Sequence, residues 1–79
     1  MTDTSSLAEI LTERRELLGW SLEEAAAVTG FLPEFIQYVE TGRIKLPALE
    51  SLSVFALAYE IPMDVLLAAR QKWPPLPLQ

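Results

Sequence analysis

The sequence predicts an all-α domain, and three patterns carry that prediction. Apolar residues recur at helical spacing along the chain, and no segment shows the sustained period-two alternation of a strand. Two capping boxes, Ser6 with Glu9 and Ser21 with Glu24, mark the starts of the first two helices. Glycines follow the predicted ends of the first three helices: Gly19, Gly30 and Gly42. Five short helices with tight connections therefore give a compact all-α domain.

Each predicted helix has its own signal. The first runs from 6 to about 18 and the second from 21 to about 28, each starting at its capping box. The third has Pro33 in its first turn, where the missing N–H costs nothing, and ends at 40 or 41. The fourth spans about 48 to 59 and the fifth 63 to about 72. Their expected inward-facing residues are Leu49, Leu52, Phe55, Ala56 and Tyr59, then Met63, Leu66 and Leu67.

The chain divides into three parts. Residues 1–5 form a short N-terminal arm, and residues 6–72 form the helical domain. Residues 73–79 contain three prolines, which remove backbone donors and fix φ, so we expect an extended tail rather than a helix.

Composition excludes several kinds of site. The 79 residues contain no cysteine and no histidine, which excludes a disulfide, a zinc site of these ligands and a histidine general base. No carboxylates are paired in a cleft, so we expect neither an enzyme nor a cofactor or metal. No apolar run approaches the roughly 20 residues of a membrane span, and the N-terminus lacks the basic region of a signal peptide. We expect a cytoplasmic protein that does not contact membranes.

The second and third helices form a helix-turn-helix pair with a distinctive order of residues. The residues that show this order are Trp20-Ser21-Leu22-Glu23-Glu24-Ala25-Ala26, Gly30-Phe31, Ile36, Val39-Glu40 and Gly42, followed by Pro47-Ala48-Leu49-Glu50-Ser51-Leu52 and Ile61-Pro62-Met63-Asp64-Val65-Leu66-Leu67. The chain from residue 7 to residue 67 resembles the Cro/repressor-type (XRE-like) helix-turn-helix family in the order of these residues. The resemblance implies the five-helix lambda-repressor-like fold, with the helix-turn-helix at about 21–41. It also implies a structural ion pair between Arg15 and Glu40, the alternative being two solvated charges.

The resemblance also implies a DNA-reading surface. In the family, the start of the third helix and the residues one turn later face base edges in the major groove. The corresponding residues here are Leu32, Pro33, Glu34, Gln37 and Tyr38. The Gln37 amide can pair bidentately with adenine. We expect phosphate contacts from Arg43 and Lys45 in the loop after the third helix; Arg14 either adds to them or is a solvated residue.

Three features argue against a strong DNA binder. The net charge is −5, whereas DNA affinity comes largely from neutralised phosphates. The family usually has a small polar residue at the position of Leu32 and glutamine at the position of Leu22. That glutamine contacts phosphate and braces the reading helix, and the leucine side chain can do neither.

Apolar residues at the C-terminal end exceed what a core of this size buries. They are Val54 and Leu57 on the fourth helix, Val65 on the fifth, and Trp73, Leu76 and Leu78 in the tail. A contiguous apolar patch marks an interface. We expect a homodimer here, with Val54, Leu57, Val65, Trp73 and Leu76 in its interface. In the alternative, Trp73 and Leu76 cover the core of their own subunit.

Two hypotheses about function follow. In the first, the chain is a small transcriptional regulator that binds an inverted repeat in double-stranded DNA as a homodimer. In the second, the helix-turn-helix scaffold is a protein-interaction module with little or no DNA binding. An apolar face of Leu22, Leu32, Phe35 and Tyr38 would then bind a protein partner.

Overall fold

Five α-helices follow one another in the computed structural model, which describes residues 6–44 and 47–71. They are α1 (Leu7–Leu17), α2 (Leu22–Thr29), α3 (Pro33–Glu40), α4 (Leu49–Tyr59) and α5 (Met63–Gln71). No strand occurs within these ranges, and the predicted all-α class is confirmed. The predicted arm, the tail and the last predicted helical residue, Lys72, lie outside the described residues.

Both capping boxes form at the starts of α1 and α2. The Ser6 hydroxyl accepts a hydrogen bond from the Glu9 amide at 3.1 Å, and the Glu9 carboxylate accepts one from the Ser6 amide at 3.2 Å. Ser21 and Glu24 pair in the same way, at 3.1 and 2.8 Å. Amides that the helices themselves leave without acceptors are thereby satisfied.

The turn between α2 and α3 depends on Gly30 and Thr29. Gly30 has φ of 84°, a left-handed conformation that favours glycine, and its amide donates to the Ala26 carbonyl. The Thr29 hydroxyl donates to the Ala25 carbonyl at 2.8 Å and accepts from the Phe31 amide at 3.2 Å. The direction in which α3 leaves the turn is therefore set by local hydrogen bonds.

Neither α3 nor α4 has a side-chain cap at its start. The residues at the cap positions are Leu32 and Ala48, whose side chains accept no hydrogen bond from the backbone. A serine, threonine or aspartate at such a position typically stabilises a helix by about 1 kcal/mol. At α3 the first turn does contain Pro33, whose backbone needs no acceptor.

The core lies where the inner faces of all five helices meet. α1 packs against α3, α4 and α5, and α2 packs against α3 and α4. The most deeply buried large side chains of the core are Leu11, Ile36, Val39, Leu52, Phe55, Tyr59 and Leu66.

One predicted core residue is wrong. Leu49 was expected in the inward-facing stripe of α4, but about half of it is exposed. It is the first residue of α4 and is turned about 60° around the helix axis from Leu52. The side chain therefore lies at the edge of the stripe, at the end of the helix.

A row of aromatic rings packs between the helix-turn-helix and α4. Trp20 meets Tyr59 edge-on with ring centroids 5.7 Å apart, and Tyr59 meets Phe55 at 5.3 Å. Phe31 then contacts Phe55 at 5.1 Å and Phe35 at 4.9 Å. These tilted and edge-to-face arrangements are favourable for aromatic pairs. The row joins α4 to the residues on both sides of α2.

An ion pair fixes the end of α3 to α1. The Arg15 guanidinium donates to both carboxylate oxygens of Glu40, from Nε at 2.7 Å and from Nη2 at 2.9 Å. Its Nη1 donates to the Trp20 carbonyl at 2.8 Å. Only 14% of the Arg15 side chain and 8% of the Glu40 side chain are exposed. Hydrogen bonding to Glu40 raises the pKa of Arg15 above its already high usual value.

The ion pair predicts a stability effect. Glu40→Gln should lower the free energy of unfolding by about 3 kcal/mol, because it leaves the nearly buried Arg15 charge without a carboxylate. Chemical denaturation at neutral pH measures this. The matched control is Glu60→Gln, because the exposed Glu60 carboxylate lies 3.9 Å from Arg14 Nη2, a long distance for an ion pair. This substitution should lower the free energy of unfolding by less than about 0.5 kcal/mol. Equal losses in the two variants would contradict the assigned role of the Arg15–Glu40 pair.

Tyr59 predicts a loss of stability at alkaline pH. Its side chain is fully buried and its hydroxyl has no partner among the described residues. Burial, followed by the nearby Glu40 carboxylate, raises the pKa of Tyr59 from 10.0 to about 12. The folded state therefore holds this proton more tightly than the unfolded chain. The stability involved is fully present below pH 10 and is lost as the pH rises towards 12.

Comparison with Tyr59→Phe isolates this effect. Between pH 9 and pH 12 the wild type should lose about 2 kcal/mol more of its free energy of unfolding than the variant does. At pH 7 the two should differ by less than about 1 kcal/mol. Denaturation curves recorded across this pH range test the prediction, and parallel losses in the two proteins would refute it.

Candidate nucleic-acid interface

The outer face of α3 is exposed while its inner face is buried in the core. Ile36 and Val39 face inward and are almost completely inaccessible. The opposite stripe carries Glu34, Gln37 and Tyr38, which are exposed and follow helical spacing. Its hydrogen-bonding groups are a carboxylate, an amide and a phenol, so this stripe can both donate to and accept from base edges.

Leu32 and Pro33 lie at the start of this face. Leu32 is 69% exposed, and Pro33 is partly exposed. The structure thus places all five predicted base-facing residues at the start of α3 or along its outer side. Whether they contact DNA remains a prediction.

Two of the four residues proposed for the apolar face of a protein-interaction module are partly buried against the core. Phe35 packs against Phe31 and lies 6.5 Å from Phe55, ring centroid to centroid. Leu22 is also packed against the core. Of the four residues proposed for such a face, only Leu32 and Tyr38 are exposed.

Arg43 is held beside Tyr38. Its guanidinium carbon lies over the Tyr38 ring, 5.2 Å from the centroid, which is a cation–π distance. The amides of Arg43 and Ile44 both donate to the Tyr38 carbonyl, at 2.8 and 3.1 Å. The first residues of the loop are therefore tied to the last turn of α3. Lys45, the other predicted phosphate contact, lies outside the described residues.

The other described arginines are engaged elsewhere in the fold. Arg14 donates from Nε to the Tyr59 carbonyl at 2.7 Å, and Arg70 donates to the Pro47 carbonyl at 2.9 Å. Arg15 is committed to Glu40. Arg14, which the sequence left open as a phosphate contact, instead satisfies a carbonyl at the end of α4. Among the described arginines, Arg43 alone has no side-chain hydrogen bond to another described residue.

The roles of Arg14 and Arg70 were missed from the sequence. Each side chain binds a backbone carbonyl, 45 and 23 residues away along the chain. Every residue has a backbone carbonyl, so the sequence does not indicate which carbonyl an arginine side chain will bind.

The predicted dimer residues have different environments. Leu57 is 82% exposed, Val65 is also exposed, and Val54 is partly buried. Trp73 and Leu76 lie outside the described residues. Leu17 on α1, at 77% exposed, is an additional surface leucine.

Comparison with known families decides the classification. A family model described as helix-turn-helix matches residues 11–66, well over half of the chain. The chain belongs to the Cro/C1-type helix-turn-helix family. The predicted family is thereby confirmed. No curated protein and no solved structure gives a significant match to the chain.

Family membership makes this Cro/C1-type protein a DNA-binding regulator of the XRE type. The matched segment includes α2 and α3 complete, together with the Arg15–Glu40 pair. None of the helices in the described ranges is long and apolar enough to cross a membrane. The residues described also hold no group of three or more side chains suited to a metal ion.

The stacking of Arg43 on Tyr38 predicts a particular mutant pattern. Arg43→Ala should reduce the slope of log Kd against log salt by about one unit per subunit, because one phosphate contact is lost. Tyr38→Ala should give part of the same change, since the arginine loses its support. Tyr38→Phe keeps the ring and should retain the wild-type slope. Equal weakening by Tyr38→Phe and Tyr38→Ala would show instead that the hydroxyl is the important group.

Proposed function

We propose that this protein is a sequence-specific transcriptional regulator that binds an inverted repeat in double-stranded DNA as a homodimer. The observation that carries the proposal is the anchoring of α3. Its inner side is buried through Ile36 and Val39, its last residue is bound by Arg15, and its outer side remains exposed. A helix held in this way can present its side chains to a groove with little loss of conformational freedom.

Gln37 is the residue best suited to read a base. It is exposed in the middle of the outer face of α3. Its amide has a donor and an acceptor in the arrangement that matches the N6 and N7 atoms of adenine. Glu34, one turn earlier, has acceptors only, which suit the N4 amino group of cytosine.

The net charge of −5 overstates the obstacle to binding DNA, because phosphate attraction depends on where the charges lie. Arg43 is held at the end of the reading helix, and Lys45 follows two residues later in sequence. Two such contacts in each subunit give about four phosphates for a dimer, and hence a marked salt dependence. Affinity at physiological salt then depends on both subunits binding together.

The exposed apolar residues of α4 and α5 support a dimer. Leu57 projects almost fully into solvent, and Val65 is exposed on the adjoining helix. Helix-turn-helix dimers place their two reading helices about 34 Å apart, one turn of the duplex, and we assign the two-fold axis to this surface. Val54 belongs to the border of this surface rather than its centre, because it is partly buried within its own subunit.

The alternative function is a protein-interaction module, and the exposure of Leu32 is the observation in its favour. Of the other residues in the proposed set, Phe35 and Leu22 are partly buried against the core, and Tyr38 carries a polar hydroxyl. The rest of the outer face of α3 is mostly polar. These observations favour a DNA ligand over a protein one.

Selection from a randomised duplex pool at about 50 mM salt tests the proposal. We expect enrichment of a two-fold symmetric site. Gln37→Ala should weaken binding to that site by about 10- to 100-fold, the usual value of a bidentate base contact. Leu57→Glu should retain the fold and lose the preference for the symmetric site over its half-site. Failure to retain any duplex at this salt would refute the proposed function and direct attention to a protein partner.

A further inference from the structure

Leu32 stands at a position that its own fold does not explain. It occupies the cap position of α3, where its side chain accepts no hydrogen bond, and it is 69% exposed. A polar residue there would stabilise the helix, and a buried leucine would stabilise the core. Leu32 does neither. Positions at which a sequence gives up local stability without compensation are often functional.

A hydrophobic staple does not account for it either. That motif uses the residue before the cap and the fourth residue of the helix, here Phe31 and Ile36. Both of these side chains are packed in the core, whereas Leu32 is turned outward. Leu32 is therefore available to a ligand at the N-terminal end of α3. In helix-turn-helix proteins this end of the recognition helix contacts the base edges in the major groove.

We propose that Leu32 determines specificity by packing against the 5-methyl group of a thymine in each half-site. The inference rests on the proposed DNA-binding function and names one base that it recognises. A leucine side chain has no donor or acceptor, so it cannot pair with the polar atoms of a base edge. Among the four bases, only thymine presents an apolar group in the major groove.

The surroundings of Leu32 favour this ligand over an apolar protein surface. The exposed residues that follow it along α3, Glu34, Gln37 and Tyr38, all carry hydrogen-bonding groups suited to base edges. A single exposed leucine at the start of a helix whose other exposed side chains carry hydrogen-bonding groups matches a base edge that combines a methyl group with polar atoms. With Gln37 directed to adenine, the two side chains together predict a half-site containing both thymine and adenine.

Deoxyuridine provides a direct test, because it lacks the methyl group and keeps the pairing atoms of thymine. Each thymine of the selected site is replaced in turn, symmetrically in both half-sites, and the Kd is measured. One position should weaken binding by about fourfold per half-site, the value of burying one methyl group. Leu32→Ala should bind thymine and deoxyuridine duplexes equally well at that position.

Two further variants separate this contact from general effects. Leu17→Ala removes another leucine of similar exposure, on α1, and should keep the full sensitivity to deoxyuridine. Leu32→Ser introduces a capping side chain, so it should raise the midpoint of thermal unfolding while abolishing that sensitivity. The thermal measurement also verifies that the variant is folded.

The outcomes distinguish this inference from the function on which it rests. Binding of the selected site with no thymine sensitive to loss of its methyl group would overturn the role of Leu32 and leave DNA binding intact. Sensitivity that persists in Leu32→Ala would do the same. Absence of any retained duplex in the initial selection would refute both.

Discussion

The bidentate bridge between Arg15 and Glu40 is the constraint on which the geometry of α3 depends. One guanidinium group joins α1, the last residue of α3 and the Trp20 carbonyl ahead of α2. The planar fork of arginine fits a carboxylate in one orientation, which lysine cannot reproduce. At the other end of α3, Phe31 and Phe35 join the aromatic row over α4. Both ends of the helix are thus fixed from the inside, and the outer side is left for a ligand.

The arginines show why net charge is a poor guide to the ligand of this protein. Three of the four in the described ranges bind carbonyl or carboxylate groups of the chain itself, and their charges serve the fold. Arg43 is placed differently, because two backbone hydrogen bonds and the Tyr38 ring hold it at the end of α3. A chain with an overall charge of −5 can therefore still present a local positive group where a phosphate is expected.

The surface leucines have different significance according to their positions. Leu57 lies on the outer side of α4, next to the helix that carries the exposed Val65, and this arrangement suits a second subunit. Leu32 lies at the start of the reading helix, with polar groups following it. Leu17 is the last residue of α1 and lies near Glu13 and Glu16. Exposure alone does not distinguish a dimer contact from a base contact, so the two proposed roles rest on the positions of these leucines in the fold.

The sequence by itself determined the five helices, the capping boxes of α1 and α2, the glycine at the α2–α3 turn and the family, because these depend on local spacing and residue order. It also predicted Arg15 opposite Glu40, through the resemblance. Only the tertiary structure decided that Phe35 and Leu22 face the core, that Leu49 lies at its edge, and that Arg14 binds the end of α4. Those outcomes depend on which face of a helix meets its neighbours and on carbonyls distant in the chain. Neither the face of a helix that meets its neighbours nor the carbonyl that an arginine binds can be read from the residue pattern.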